Sequence, residues 1–333
     1  MAKKKEDKES LEDTLKRLNK TYGEGAIMGL SDKCADDYDV ISTGSIGLDY
    51  EVLGVGGIVK GKLYELMGWE GTGKSTLCGH ITANCQKAGG KVVYIDGEHA
   101  VDKNYFKALG VNVDDLLLAQ PSNGEEGFNI AMEMIKTGEV DLVIIDSDSS
   151  LIPKKVVDGE IGDSAIGRKA MLNSNAYPKL KNKLVEANTA VIVISQYREK
   201  IGVMFGDPRT TQGGHALKFY SDCRMEIAKS ADKEGTEVVG NKTRIKTIKN
   251  KTYPPYHNTE FKIKFGIGID RKEELMNLAD SVGIGRKYGK TYTFDEIKYS
   301  LDEFLEMLDD DIFFQELRNK VVDKLLKKDE DDK

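Results

Sequence analysis

The sequence has no long hydrophobic run and no recognisable export signal. Its longest uninterrupted apolar stretch, Ala190 to Ile194, is far shorter than the roughly 20 residues of a membrane helix. The first ten residues, MAKKKEDKES, contain no apolar segment of the kind found in secretory signals. We therefore expect a cytoplasmic protein without a membrane segment.

Cysteine and histidine are also scarce, at four residues each in a chain of 333. The cysteines form no CxxC pair, and the histidines form no HExxH or other paired spacing. These absences favour a reduced compartment and argue against a disulfide-stapled fold or a zinc enzyme. Hydrophobic residues still make up 39% of the chain, which is enough for a substantial core.

The net charge of −7 is concentrated at the C-terminus. Residues 295–333 carry 14 acidic and 7 basic side chains, so residues 1–294 sum to zero. The body of the protein can therefore present basic surfaces, and the overall acidity does not exclude a nucleic-acid partner.

The chain is predicted to have three parts. Residues 1–36 contain a short amphipathic helix, Ser10 to Tyr22, which we expect to contact the body or another subunit. Residues 37–270 alternate apolar strand-like runs with helical stretches, which predicts an open α/β fold with a mostly parallel sheet. Residues 271–333 are predicted to form a small α-rich domain that ends in a solvated tail.

Eleven segments of the middle part are assigned to helices or strands. The predicted parallel strands are Lys62–Met67, Val92–Ile95, Val140–Ile145 and Ala190–Ser195. The predicted helices are Lys74–Lys87, Asn104–Leu109, Gly124–Thr137 and Arg168–Ala187. Three further strands, linked without helices, predict an antiparallel far side of the sheet: Cys223–Ala228, Thr243–Lys249 and Glu260–Phe265.

The segment after the first of these strands fits the phosphate-loop pattern GxxxxGK[ST]. Gly71 and Gly73 let successive backbone N–H groups face one anion, and the following helix adds partial positive charge. We expect Lys74 to reach the β- and γ-phosphates of ATP and Ser75 to ligate Mg²⁺. The predicted nucleotide-binding residues of this segment are Gly68, Trp69, Glu70, Gly71, Thr72, Gly73, Lys74, Ser75 and Thr76.

Two of the predicted strands end in carboxylates. Asp146 is expected to hold the Mg²⁺ shell beside Ser75. Glu98 is a candidate to orient and deprotonate the water that attacks the γ-phosphate. The spacing alone leaves open that Glu98 is a solvated loop acid.

Several longer strings, taken together with the phosphate loop, resemble the bacterial RecA recombinase family in a divergent form. They are Ile41–Asp49, Asp96–Asp102, Gly159–Ser164, Lys200–Gly206, Thr210–Gly214, Ala216–Tyr220 and Ile248–Lys251. The resemblance implies a RecA-like P-loop ATPase core. It also implies that an N-terminal helix and strand of each subunit bind the next subunit, which gives a helical filament.

The resemblance further assigns roles around the nucleotide. Gln196 would contact the γ-phosphate and couple its binding to the position of a DNA loop. Asp102 and Tyr105 would hold the adenosine. Lys249 and Lys251 would reach the ATP of a neighbouring subunit, as an arginine finger does. The implied catalytic residues are Glu98, Lys74, Gln196, Lys249 and Lys251.

Residues 157–169 and 197–215 resemble the two DNA loops of the family. The second is glycine-rich, basic and hydroxyl-bearing, which suits contact with a phosphate backbone, although a flexible surface loop is the alternative. The predicted single-stranded DNA contacts are Ile166, Gly167, Arg168, Lys169, Arg198, Lys200, Phe205, Arg209, Thr210, Thr211, Gly213, Gly214 and His215.

A run of cations follows in the strand Thr243–Lys249 and its flanks. Alternation along a strand places Arg244 and Lys246 on one face, where they could attract a second DNA strand, and Lys249 and Lys251 on the other. A solvated cationic face is the alternative for the first set.

Some residues depart from the family pattern. Met171 and Pro178 stand where arginines are usual, and Pro178 is expected to kink or restart its helix. Arg209 replaces an acidic residue, and Ala228 replaces a basic one. Asp148 follows the magnesium-binding strand where a small apolar residue is usual. These differences affect the expected DNA contacts rather than the ATP chemistry.

The predicted function is ATP-dependent homologous recombination, with ATP and Mg²⁺ as cofactors. The protein would coat single-stranded DNA as a filament, pair it with homologous double-stranded DNA and exchange strands, with DNA-stimulated hydrolysis. One alternative is a hexameric RecA-fold helicase or motor ATPase, which closed rings would favour. Another is an ATP-switched DNA-binding mediator, which negligible DNA-stimulated hydrolysis would favour.

Overall fold

The computed structural model describes residues 9–29, 38–160, 167–199 and 208–331, with side chains as far as residue 327. The chain divides into two compact units, residues 1–38 and 39–333. In the first unit, helix α1 spans Leu11–Tyr22. The predicted helix is confirmed, and the Ser10 hydroxyl caps its start by accepting a hydrogen bond from the Asp13 amide at 3.1 Å.

The second unit contains a large sheet whose parallel part agrees with the prediction. Two short strands precede it: β1 (Val40–Ile41) and β2 (Ile58–Val59). The large sheet comprises β3 (Leu63–Gly68), β4 (Val92–Asp96), β5 (Leu117–Ala119), β6 (Leu142–Asp146), β7 (Ala190–Glu199), β8 (Arg209–Thr211), β9 (Cys223–Glu234), β10 (Glu237–Asn250), β11 (Asn258–Lys264) and β12 (Gly268–Ile269). Nine of these strands are ordered β12-β11-β10-β9-β3-β7-β6-β4-β5, and β8 pairs with β7 outside this order. The six neighbouring strands β9, β3, β7, β6, β4 and β5 run parallel. The edge strand β5 was not predicted.

Helices cover both faces of this sheet. They are α2 (Lys74–Lys87), α3 (Lys103–Ala108), α4 (Gly124–Lys136), α5 (Lys154–Val157), α6 (Arg168–Ala187) and α7 (Ala216–Tyr220). One apolar cluster forms around α2, and a second forms under α4 and α6. Two separate cores on one sheet confirm the doubly wound arrangement. Among the helices described, none is both long and apolar enough to cross a membrane.

The prediction for Pro178 was wrong in one respect, because helix α6 continues through this residue to Ala187 without a restart. Proline removes one backbone donor and crowds the preceding turn, which destabilises a helix. On its inner face α6 buries Asn173, Tyr177, Leu180 and Leu184. We attribute the continuous helix to this packing, which offsets the local cost of the proline.

The antiparallel far side is confirmed, but the predicted faces of the lysines are wrong. Lys246 lies opposite Glu226 and Lys249 lies opposite Arg224, because the register shifts between Thr247 and Lys249. This β-bulge inserts one extra residue in β10 and reverses the alternation. Lys249 therefore shares a face with Lys246, whereas strict alternation placed them on opposite faces.

The C-terminal part contains a small sheet as well as helices. Its elements are α8 (Arg271–Ser281), β13 (Gly285–Tyr288), β14 (Thr291–Phe294), β15 (Ile297–Ser300), α9 (Leu301–Met307) and α10 (Asp311–Asp331). Tyr292 and Phe304 are fully buried in its apolar cluster, which also includes Ile46. The three-stranded sheet was not predicted. Helix α10 also runs into the segment expected to be a solvated tail.

Candidate nucleotide-binding site and DNA-facing loops

The phosphate loop connects the end of β3 to the start of α2. Gly71 and Gly73 have positive φ angles of 67° and 92°, and a Cβ atom on Gly73 would lie 2.5 Å from Ile263 Cδ1. The positive φ therefore favours glycine at Gly73, and a larger residue there would also displace the end of the Ile263 side chain. The Lys74 ammonium donates hydrogen bonds to the carbonyl oxygens of Gly68 at 3.2 Å and Trp69 at 2.7 Å. This places the cation within the curve of the loop.

Burial lowers the pKa of Lys74, and the nearby carboxylates of Asp146 and Glu98 oppose that shift. The lysine is thus a buried cation with acidic groups close by. A phosphate in the loop would supply further negative charge to such a cation.

The side chains of Ser75 and Asp146 are in contact beside the phosphate loop, as predicted. The Ser75 hydroxyl donates to Asp146 Oδ2 at 2.7 Å, and the Tyr94 hydroxyl donates to the same oxygen at 2.8 Å. Burial raises the pKa of Asp146, while these two hydrogen bonds lower it. A hydroxyl and a carboxylate beside a phosphate site are the hard oxygen ligands that Mg²⁺ takes, with phosphates and water supplying the rest. The residues present therefore fit this ion.

Glu98 and Gln196 come together although 98 residues separate them in the chain. Glu98 Oε1 accepts hydrogen bonds from Gln196 Nε2 at 2.7 Å and from the Ser147 hydroxyl at 2.6 Å. Sequence reasoning missed Ser147. Its position directly after Asp146, at the same edge of the sheet as Glu98, was the available signal.

The residues expected at the adenosine end lie at the start of α3. Asp102 caps this helix by accepting the Tyr105 amide at 2.6 Å, and the hydroxyls of Tyr105 and Thr76 lie 2.8 Å apart. Tyr105 thus contacts the helix that begins in the phosphate loop. Asp102 has a structural role here, and its contact with a nucleotide stays a prediction.

These groups surround a cavity of about 290 Å³. Its walls include Lys74, Glu98, Tyr105, Asp146 and Gln196. The antiparallel strands contribute a wall that the sequence did not indicate, formed by Asn241, Ile263 and Phe265. A phosphate loop, a magnesium-type pair and a candidate base therefore border one concave space.

Lys249 and Lys251 lie away from this cavity. The Lys249 ammonium donates to the carbonyl oxygens of Lys218 at 3.1 Å and Phe219 at 3.0 Å, at the end of α7. Lys251 forms an ion pair with Asp222 at 3.2 Å. Both cations are thus held at the opposite end of β3 from the phosphate loop.

The second predicted DNA loop begins and ends in paired strands. Tyr197–Glu199 at the end of β7 pairs antiparallel with β8, which includes Thr210 and Thr211. The guanidinium of Arg209 lies 5.2 Å from the centre of the Tyr197 ring and also forms an ion pair with Glu226. Arg198 Nη2 donates to Gln196 Oε1 at 3.5 Å, which connects this ribbon to the site.

The other predicted DNA contacts are distributed as follows. Gly213 and Gly214 form the turn after β8, and His215 precedes α7. Gly167 and Arg168 begin α6. Lys246 pairs with Glu226 at 2.9 Å, and Arg244 Nε donates to Asn258 at 3.1 Å. Lys169 turns inward, where its ammonium donates to the Leu151 carbonyl at 2.6 Å. Ile166, Lys200 and Phe205 lie outside the described residues.

The fold and the site define a P-loop ATPase with a RecA-type sheet. Residues 9–270 match the family model of the RecA N-terminal domain. The chain is 42% identical to Protein RecA of Streptomyces venezuelae over 322 residues, covering 95% of this chain and 84% of that protein. It is 45% identical to Protein RecA of Streptomyces coelicolor over 287 residues, covering 86% and 76% of the two chains. It is 44% identical to Protein RecA of Caldanaerobacter subterraneus subsp. tengcongensis over 294 residues, covering 88% and 86%.

The chain therefore belongs to the RecA family. It is a homologous recombinase and a DNA-dependent ATPase, as the resemblance implied.

Proposed function

We propose that the protein hydrolyses Mg²⁺-ATP between adjacent subunits of a helical filament on single-stranded DNA. The filament pairs its strand with homologous double-stranded DNA. The observation that carries this proposal is the separation of Lys249 and Lys251 from the phosphate loop of their own chain.

That separation follows from the strand register. Lys249 lies opposite Arg224, and Arg224 lies beside Glu65, three residues before the end of β3. At about 3.3 Å per residue, this is about 10 Å short of the strand end where the phosphate loop begins. The two ammonium groups are moreover held by α7 and Asp222. They support a role toward a neighbour's nucleotide rather than their own.

Within one chain, the phosphate loop would bind the polyphosphate of ATP, and Lys74 would supply positive charge. Lys74 would lie against the β- and γ-phosphates, and Ser75 and Asp146 would hold Mg²⁺. When bound, this ion neutralises charge on the phosphate oxygens. The backbone N–H groups of the loop and the start of α2 would bind and orient the polyphosphate.

Glu98 would take the proton from the attacking water. Ser147 and Gln196 both donate to Oε1 of Glu98, which leaves Oε2 as the acceptor for water. Two fixed donors hold the carboxylate in one orientation, a condition for efficient general-base catalysis.

Gln196 would connect the nucleotide to the DNA. Its amide nitrogen contacts Glu98, and its amide oxygen accepts from Arg198 in the ribbon of the second loop. A γ-phosphate that competes for this amide would shift the ribbon, so the state of the nucleotide would alter the contact with single-stranded DNA.

DNA contact would use cations that are now paired with acids. Arg209 and Lys246 both pair with Glu226, and Arg244 lies 3.9 Å from Glu260. The pair of Arg244 with Glu260 is exposed on both sides, so it contributes little and is readily exchanged for a phosphate. Glu226 is buried but has two cation partners, so either Arg209 or Lys246 could turn to a phosphate while the other still pairs with it. We assign Arg198 and Arg209 to the first strand and Arg244 and Lys246 to the duplex.

Electron microscopy with a slowly hydrolysed ATP analogue tests this function. We expect open helical filaments on single-stranded DNA and far fewer without DNA or nucleotide. Closed rings under the same conditions would contradict the proposal and support a motor.

A further inference from the structure

Three consecutive residues at the end of β6 face three different parts of the molecule. Asp146 contacts Ser75 of the phosphate loop, and Ser147 contacts Glu98. The third, Asp148, is 2% exposed and faces helix α6. The metal site, the candidate base and this helix are thus fixed to one short stretch of backbone.

Asp148 is the centre of a buried polar cluster. The Tyr177 hydroxyl donates to its Oδ1 at 2.5 Å, and Asn173 Nδ2 lies 3.1 Å from each of its two oxygens. The Lys169 ammonium lies 3.5 Å from Oδ1 and balances the charge. A buried carboxylate is tolerated only when it is paired and hydrogen-bonded in this way. The cluster therefore fixes the first three turns of α6 to the end of β6.

Asn173 extends the cluster to the second DNA loop. Its Nδ2 also donates to the Gly213 carbonyl at 3.2 Å. Gly213 has a φ of 84°, and a Cβ atom there would collide with Asn173 Nδ2 and lie 2.9 Å from Asp148 Oδ2. At Gly214 a Cβ atom would lie 2.9 Å from that of Ala170. Gly213 and Gly214 of this loop thus pack directly against α6.

The two predicted DNA loops are joined through this cluster. Helix α6 begins at Arg168, within the last residues of the first loop, and Gly213 lies near the end of the second. Within the described residues Asn173 Oδ1 has no hydrogen-bond partner, so the bonding of this amide is directed to Asp148 and Gly213. A displacement at the end of β6 has a contiguous physical route to both loops.

We propose that Asp148 and Asn173 are positioning residues that couple the nucleotide site to both DNA loops. This connection is additional to Gln196, which reaches only the second loop. It rests on the proposed DNA contact of these loops. The resemblance leads one to expect a small apolar residue at Asp148, so this route is a property of this chain's own residues.

The test measures coupling rather than activity. The affinity for a single-stranded oligonucleotide is measured with and without a slowly hydrolysed ATP analogue, and the ratio of the two dissociation constants is the coupling. In Asn173→Ala we expect the coupling to fall by about three- to tenfold. Nucleotide affinity without DNA should stay at the wild-type value. The control is Asn175→Ala, an exposed asparagine two residues further along α6, which should leave the coupling unchanged.

A second set of variants separates coupling from general destabilisation. Tyr177→Phe keeps the packing of the ring on Phe128 and removes only the hydroxyl that contacts Asp148, so the coupling should fall by a smaller factor. The double variant Asp148→Asn, Asn173→Ala should lose no more coupling than whichever single variant loses more, because both substitutions disrupt the same connection.

The possible outcomes distinguish the two proposals. Wild-type protein without nucleotide-dependent DNA binding would overturn the proposed function itself. Wild-type coupling that persists in Asn173→Ala and Tyr177→Phe would overturn only the inference. Equal losses in Asn173→Ala and Asn175→Ala would also overturn it, because the effect would then not come from the cluster.

Discussion

Glu98 is oriented by hydrogen bonds from two other segments of the chain. Ser147 and Gln196 converge on its Oε1 at 2.6 and 2.7 Å. A carboxylate on a loop would otherwise sample many orientations, and most of them would not face the attacking water. The role proposed for this residue thus depends on three segments meeting at the carboxyl edge of the sheet.

Glu98→Gln should bind ATP and single-stranded DNA but hydrolyse poorly. The substitution keeps the size of the side chain and removes the acceptor for the proton, which is worth about 100-fold or more in rate. Phosphate release in the presence of single-stranded DNA measures the loss, and a filter or anisotropy assay measures retained binding. Glu133→Gln, at an exposed acid, is the control. Hydrolysis within a few-fold of the wild type would contradict the assignment.

Lys74→Ala should abolish nucleotide binding and, with it, nucleotide-dependent filaments. The ammonium lies inside the curve of the phosphate loop, where no other cation takes its place among the described residues that line the cavity. The chain has one tryptophan, Trp69, in this loop, so its fluorescence reports binding directly. Lys87→Ala, at the exposed end of α2, should behave as wild type. Filaments of normal pitch from Lys74→Ala would contradict the phosphate-loop assignment.

Elements with strong local signals were predictable from the sequence. The predicted strand Ala190–Ser195 is apolar as far as Ile194, and all six of its residues are buried in the structure. Helix α2 has the bounds expected, since the glycines of the phosphate loop mark its start. The phosphate loop and Asp146 followed from patterns within a few residues, as such motifs do. For Glu98 the spacing alone left open a solvated loop acid, and the family resemblance was needed to assign it a role.

Elements that depend on distant partners were not predictable. The bulge in β10 exists only relative to β9, so no local pattern indicated that Lys249 would change face. The hairpin between β14 and β15 turns at Asp295 and Glu296, both with positive φ. A glycine or asparagine usually marks such a turn, so the hairpin had no conspicuous signal. The Asp148 cluster likewise needed three-dimensional contacts to appear.

A buried acid attaches helix α8 to the segment Ser45–Gly47, which follows β1. Glu274 Oε1 accepts the Ser45 hydroxyl at 2.5 Å and the Gly47 amide at 3.1 Å. Burial raises the pKa of Glu274 to about 7, and neighbouring Asp49, with a pKa of about 6, adds to the rise. Arg271 is the nearby cation.

This arrangement predicts stability that falls as pH rises. The folded protein holds protons on Glu274 and Asp49 that the unfolded chain releases at lower pH, so the stabilisation is complete below the unfolded pKa and is lost as pH rises through about 7. Glu274→Gln cannot ionise, so its melting temperature should decline less between about pH 5 and pH 8. The Asp49 contribution should remain. An unchanged pH slope in this variant would contradict the assignment.

At the scale of the whole molecule, the proposed function requires one chain to supply parts of two different ATP sites. The phosphate loop, Ser75, Asp146 and Glu98 lie at the carboxyl end of β3 and its neighbours. Lys249 and Lys251 lie toward the amino end of β3, about 10 Å or more from the loop. A subunit that keeps its cations apart from its own nucleotide can make hydrolysis depend on assembly.

The central claim is completion of the ATP site by a neighbouring subunit, and mixing two variants tests it most directly. Lys249→Ala and Lys74→Ala should each hydrolyse little ATP on single-stranded DNA. In a mixture, a Lys74→Ala subunit still offers its Lys249 to a partner whose phosphate loop is intact. Roughly a quarter of the sites in a randomly mixed filament would then be whole. DNA-stimulated hydrolysis should rise clearly above the sum of the separate variants, and activity no greater than that sum would contradict the claim.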